Sequence, residues 1–206
     1  MLWQKGAEPL GLGKVHRVDT TKPVDIQRLI RSLRQNVAME TLSVRPMTQT
    51  EFDTFLVNTI RDYAAENVRA KYWEAAEAEE RAASETNALL PQGVDTPGML
   101  VLTAENMDGV AVGHLWLALE RKPGSDFGAW IYDIRIKSEH QGRGYGRALL
   151  GMAEEQSAKH GVKAIGLNVF GNNQVARNLY ESAGYQITSM HMEKVFVADE
   201  LPYEAP

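Results

Sequence analysis

The 206-residue sequence contains no cysteine. Disulfides, thiolate metal sites and a cysteine nucleophile are thereby excluded, and a reducing, cytoplasmic location is the expected one. Long apolar runs are absent too. Nothing approaches the roughly 18 consecutive apolar residues of a membrane span, so no membrane partner is expected. The opening residues, MLWQKGAEPLGLGK, lack a basic start followed by an apolar run, and no secretory signal is expected. Positive charge is also in short supply: 22 Lys and Arg stand against 27 Asp and Glu, a formal net charge of −5. A nucleic-acid partner, which calls for a basic face, is not expected. No spacing of His, Asp and Glu resembles a metal-ligand cluster.

What remains is ordinary globular composition, 44% hydrophobic and 24% charged. It suits one domain with an appendage. The charge divides unevenly. Residues 1–40 carry seven Lys/Arg and four Asp/Glu, whereas the remainder carries 15 and 23, which marks a boundary near residue 40. An N-terminal extension (1–40), a main domain (41–197) and a short tail (198–206) follow. Within the extension, Ile26, Leu29, Ile30, Leu33 and Val37 recur at helical spacing with Arg28, Arg31 and Arg34 mostly off the stripe. Such a basic amphipathic helix can bind a membrane surface or a partner, docking the chain into a complex; the plainer alternatives are a helix packed on its own domain or on a second copy, or a frayed arm.

Along the main domain, TLSVRPM (41–47) reads as a short strand. Thr48 and Glu51 fit a capping box opening a helix over about 50–70. Residues 73–89 form an alanine-rich, acidic second helix, broken by LPQGVDTPG at 90–98. Strands follow at 99–105, 110–121 and 129–137, with turns at Asn106–Gly109 and KPGSDFG between them. A helix from about Gly144 to His160, a buried central strand at 164–170, a helix at 172–184 and one or two strands over 185–197 complete the chain, with Gly161 and Gly184 as helix stops. The order gives an α/β fold around a mixed sheet flanked by helices.

The segment HQGRGYGRALL (140–150) sets three glycines at alternate positions before an apolar run. A tight turn at a helix N-terminus presents free amides and partial positive charge, an anion site. Gly142, Gly144 and Gly146 would let those amides approach a phosphate closely, with Arg143 and Arg147 at the rim. The spacing fits neither a dinucleotide fingerprint nor a P-loop, and by itself it leaves phosphate binding and a plain tight turn both open.

Here the sequence resembles the GNAT family of N-acetyltransferases. QGRGYG (141–146) matches that family's acetyl-CoA signature, Q/R-x-x-G-x-G/A, through Gln141, Gly144 and Gly146. LNVFGNNQVARNLYESAGY (167–185) matches its second half-site through Asn173, Ala176, Leu179, Tyr180, Gly184 and Tyr185. The resemblance spans about 41–197 and is thinnest in the first two helices. It implies a sheet in which the YDIRI strand and the 164–170 strand splay apart to hold acetyl-CoA. The CoA pyrophosphate would sit on the 142–147 turn, and the pantetheine arm would lie along Ile134, Arg135 and Ile136. Gln141, Gly142, Arg143, Gly144, Tyr145, Gly146, Arg147, Asn168, Asn173 and Ala176 complete the implied cofactor set. An amine attacks the thioester directly, so no enzyme nucleophile is needed.

Tyr180 is the implied acid for the leaving thiolate, a phenol near pKa 10 matched to a thiol near 8.5; the alternative is a core aromatic. Asp133, mid-strand among apolar residues, is the candidate base, or else a buried partner of Arg135 or of a backbone amide. Strand alternation puts Asp133, Arg135 and Lys137 on one face and Ile134 and Ile136 on the other. His114 is a weaker candidate base, more readily structural. Trp116, Trp130 and Tyr132 fill core or line an acceptor pocket, and His140 and His160 are expected in solvent. The expected activity is transfer of acetyl from acetyl-CoA to a small-molecule or peptide amine, without a metal, in a chain for which the family suggests a homodimer. The alternative is a non-catalytic acyl-CoA-binding module on the same fold.

Overall fold

The computed structural model describes residues 25–26, 42–120, 128–190, 192 and 194. The helix expected within the extension, the turn after Glu120 and the tail fall outside them, apart from exposed Asp25 and Ile26.

Strand β1 (Leu42–Pro46) leads into helix α1 (Gln49–Arg69) through the capping box legible in the sequence. The Glu51 amide donates to Thr48 Oγ1 at 3.3 Å, and the Thr48 amide donates to Glu51 Oε2 at 2.8 Å. The same carboxylate accepts from Arg45 Nη1 and Nη2 at 2.7 and 2.8 Å, while Arg45 Nε donates to Glu105 at 2.8 Å. One guanidinium thus ties β1 to α1 and to strand β2 (Met99–Asn106). Helix α2 spans Ala78–Leu89, five residues shorter at its start than its alanine content suggests. Trp73 lies in the preceding turn and packs with Ile60 and Val68 of α1 on buried Ala78 and Ala82.

Strands β2, β3 (Ala111–Ala118) and β4 (Ala129–Ile136) form antiparallel ladders beside β1, and β5 (Ile165–Leu167) joins β4 in parallel, giving the order β1-β2-β3-β4-β5. The Asn106–Gly109 turn is closed by Asn106 Oδ1, which accepts from the amides of Asp108 and Val110 at 3.0 and 2.9 Å. Gly113 on β3 is dictated by packing, since a Cβ there would lie 2.2 Å from the Arg135 carbonyl oxygen.

One face of the sheet (Leu102, Leu115, Leu117, Ile131, Ile136) packs on Ala148, Leu149, Leu150 and Ala153 of helix α3 (Tyr145–Lys159) and on Leu179 of helix α4 (Gln174–Ala183). The other face sets Val101 and Trp116 against Phe52 and Phe55 of α1, with Tyr132 at the margin. The β3–β4 ladder slips by one residue, pairing Trp116 with Asp133 but Leu117 with Ile131. Tyr132 is the extra residue of this bulge. The α/β architecture with helices on both faces of a mixed sheet is the expected one.

Two strand expectations are corrected. The apolar run at 164–170 pairs only over Ile165–Leu167 and lies at the edge of the described sheet, not at its centre. Residues 185–190 form no strand, and they leave Ile187 and Met190 exposed; the remainder of 185–197 is described only at 192 and 194, neither in a strand. In both places apolar, β-prone sequence promised ladder partners that the described chain does not supply.

Candidate functional site

Pairing between β4 and β5 covers only Ala129–Ile131 against Ile165–Leu167. Beyond that point β4 continues to Ile136 paired with β3 only, and on its other side the gap opens into a cleft of about 640 Å³. Its walls include Ile131 to Ile136, Leu167, Asn168, Asn173, Ala176, Leu179 and Tyr180, and its outer end is formed by Gln141, Gly142, Tyr145 and Gly146. The volume suits a small-molecule ligand.

At the outer end the glycines do what their spacing suggests. Gly142 and Gly144 adopt φ of +74° and +88°, the left-handed region that glycine enters at no steric cost. Gly144 is the N-cap of α3, and the first amides bonded back to it are those of Arg147 and Ala148, both at 3.1 Å from its carbonyl oxygen. Among the described residues, the amides of 142–146 donate no backbone hydrogen bond, as expected at the positive end of a helix. A Cβ at Gly142 would meet nothing within 4 Å, so the turn has open space in front of it.

Other members of the expected set hold the scaffold. Gln141 Nε2 donates to the Ile136 carbonyl at 2.9 Å, pinning the turn to the end of β4. Asn173 caps α4, its Oδ1 accepting from the Ala176 amide at 3.1 Å. Arg143 donates to the Glu139 carbonyl at 3.2 Å, and Arg147 donates to Ser182 Oγ on α4. Neither arginine lines the cleft. Arg135 turns away from the turn altogether and pairs with Asp62 of α1.

The inner end carries the titratable groups. Asp133 and His114 lie on the face covered by α1. Asp133 Oδ2 is 2.9 Å from His114 Nε2, and the Phe55 ring meets the imidazole edge-on with centroids 5.1 Å apart. The sequence-based expectation of a partner for Asp133 is met by histidine instead of arginine. Burial pushes the Asp133 carboxyl up, but the hydrogen bond and charge of His114, with the nearby Arg135 guanidinium, leave it below the usual carboxylate range. Tyr180 stands on the opposite face, with the core under α3 and α4. Burial and then the Asp133 charge push its phenol up to about 12, which keeps it protonated through neutral pH. Its hydroxyl makes no hydrogen bond among the described residues. Asp133 and Tyr180 thus both line the gap where β5 has left β4.

Of the remaining expectations, Trp116 is buried and stacks on Tyr132 at 4.6 Å between centroids. Tyr132 also lines the cleft. His160 is exposed, as expected. His140 is not: it is half-buried, and its Nδ1 is sealed from solvent without a hydrogen-bond partner among the described residues. Leu167, Val169, Val175 and Leu179 line the cleft although none was in the expected cofactor set; as apolar positions they were indistinguishable from core, even though Leu179 matched the family's second half-site.

The model of the acetyltransferase (GNAT) family matches residues 63–185. Over 155 residues the chain is 32% identical to the uncharacterized N-acetyltransferase YycN of Bacillus subtilis, spanning 75% of this chain and 98% of that protein. The uncharacterized N-acetyltransferase YdgE of the same organism is 27% identical over 153 residues, or 74% of this chain and 96% of that protein. The crystal structure of YycN matches with a TM-score of 0.70 over 76% of this chain and 99% of that one.

Proposed function

This chain belongs to the acetyltransferase (GNAT) family, and we propose that it moves an acetyl group from acetyl-CoA to a primary amine by direct attack. The observation that carries the reading is a single cleft with Tyr180 and Asp133 in the walls of its inner end and a turn of free amides at its outer end. A phosphate-bearing, elongated thioester suits such a cleft: anionic at one end, reactive at the other.

Acetyl-CoA supplies the activated acetyl group, and the chain supplies orientation and proton management. The amides of 142–146 hold the pyrophosphate, with Arg143 and Arg147 adding charge at the rim. Apart from the Ile136 carbonyl, which Gln141 occupies, the edge of β4 over Ile134–Ile136 offers its backbone groups to the pantetheine amides, much as a neighbouring strand would use them. Asn168, Asn173 and Ala176 border the arm from the other wall. Tyr180 Oη keeps its proton until sulfur leaves and then donates it, a role typically worth about 10²- to 10⁴-fold in rate. The acceptor is a small-molecule or peptide amine that enters from the α1 face.

Calorimetric titration with acetyl-CoA tests the reading. Wild type and Tyr180→Phe are expected to bind alike. Gly144→Glu, which places a carboxylate at a left-handed position in the turn, is expected to abolish binding. Wild-type protein with no affinity for acetyl-CoA would refute the proposal, and equal turnover by Tyr180→Phe would remove the phenol from it.

A further inference from the structure

We infer that Tyr185 is the positioning residue for Tyr180: its amide and its ring together hold the phenol in the wall of the cleft. The inference rests on the acetyl-transfer reading above, in which Tyr180 protonates the departing sulfur. That role needs a fixed hydroxyl, and α4 by itself does little to fix one. None of the ten residues of the helix is fully buried. The Tyr180 hydroxyl has no hydrogen-bond partner among the described residues, so packing orients the ring.

Tyr185 acts on it from two directions. Gly184 ends α4 in the left-handed region and turns the chain back, so that the Tyr185 amide donates to the Tyr180 carbonyl at 3.0 Å. The two rings then meet at 5.8 Å between centroids and 52° between planes, a tilted contact within the range that aromatic pairs favour. Both pack on the core shared with α3.

Helix α3 in turn places Tyr185. The Tyr185 hydroxyl is sealed from solvent near the Glu154 carboxylate of α3. Burial and then the Glu154 charge push its phenol above the ordinary tyrosine range, which keeps it neutral beside the acid. Arg147, on the first turn of α3, donates to Ser182 Oγ on α4. The helix that presents the amide turn at its N-terminus therefore also borders the residue that holds the acid, and turn and phenol share one frame. Truncating the Tyr185 ring frees space beside Tyr180, and a reacting group misplaced by about 1 Å can lose about 100-fold in rate.

Thiol release from acetyl-CoA, with benzylamine and with water as acceptors, supplies the rate; the absence of cysteine leaves the thiol reagent only CoA to react with. Tyr185→Leu should lose about tenfold or more in kcat and keep its KM for acetyl-CoA within about twofold of wild type. Tyr185→Phe, which retains ring and amide, should restore most of the rate. In a Tyr180→Phe background Tyr185→Leu should cost nothing further, because the group it positions is gone. NMR of the ¹³C-tyrosine-labelled full chain with acetyl-CoA bound is expected to show an NOE between the two rings, assigned among the seven tyrosines by the two Phe variants. Absence of that NOE would overturn the assignment even where Tyr185→Leu fails to fold. So would a Tyr185→Leu enzyme within about threefold of wild type in kcat, an equal loss in both backgrounds, or a Tyr185→Phe as slow as Tyr185→Leu. The calorimetric titration separates this from the underlying reading: a wild type that fails to bind acetyl-CoA overturns acetyl transfer itself, whatever the rings do.

Discussion

Glu51→Gln isolates one electrostatic contribution to stability. Glutamine keeps an oxygen for the Thr48 amide and so preserves the cap, but it removes the charge that faces Arg45. Arg45 and the Thr48 hydrogen bonds hold the Glu51 carboxyl at about 2, against an ordinary 4.5, although burial opposes them. At about 1.4 kcal/mol per pKa unit, that gap sets a ceiling of about 3.5 kcal/mol. Arg45 and Glu51 are 37% and 30% exposed, and solvent screening on this scale brings the expected loss to about 1 kcal/mol at pH 7. The folded-state pKa is depressed, so the stabilisation is fully present above about 4.5 and disappears as pH falls through about 2. Urea denaturation from pH 7 down to pH 2 is the suitable assay, because guanidinium salts would themselves screen the pair. Wild type and variant should differ at neutral pH and converge in acid. A difference that stays constant with pH would show that the lost stability is not ionic, and none at pH 7 would show that the network contributes nothing.

Gly113→Ala is expected to be among the most damaging conservative changes, because the added methyl would overlap the Arg135 carbonyl 2.2 Å away and force β3 from β4. A loss of about 3 kcal/mol or more, or failure to fold, should appear in thermal unfolding. Asn173→Ala removes the α4 cap and should cost about 1 kcal/mol by urea denaturation. Gly142→Ala places a side chain at φ +74° but in open space. Its cost of about 1–2 kcal/mol should therefore fall on stability, with acetyl-CoA affinity by calorimetry reduced far less than in Gly144→Glu.

Local chemistry was the part of the fold most legible in the sequence. The capping box of Thr48 and Glu51 lies within one helical turn, and Gly184 ends α4 in the left-handed region at φ +100°. Both depend on residues three or fewer positions apart. The extent of β5 was not legible, because ladder length depends on where a distant strand leaves, and Val169 and Phe170 look like strand whether or not a partner is present. The tight turn ahead of α3 was visible because glycine spacing carries its own geometry. The contact between His114 and Asp133 was not. Each reads as one polar residue in an apolar strand, and only the register of β3 on β4 brings them within 2.9 Å. Arg135, the nearer suspect in sequence, finds its partner on α1 instead.

The bulge at Tyr132 works as a phase shift. Upstream of it Ala129 and Ile131 enter the core beneath α3, and downstream Ile134 and Ile136 do so. The intervening pair of residues is what allows Asp133 to reach the other side of the sheet. Deleting Tyr132 would leave every hydrophobic residue of β4 in the chain and would heal the ladder. Ile131, Asp133 and Ile134 would then alternate as in a regular strand, with Asp133 still opposite Trp116 on the α1 side, and the loss would be the Tyr132 ring that stacks on Trp116. The bulge thus takes up one residue and leaves the faces on either side of it unchanged. Homologous chains that shorten β4 here by one position should keep both the architecture and the side of the sheet on which Asp133 stands.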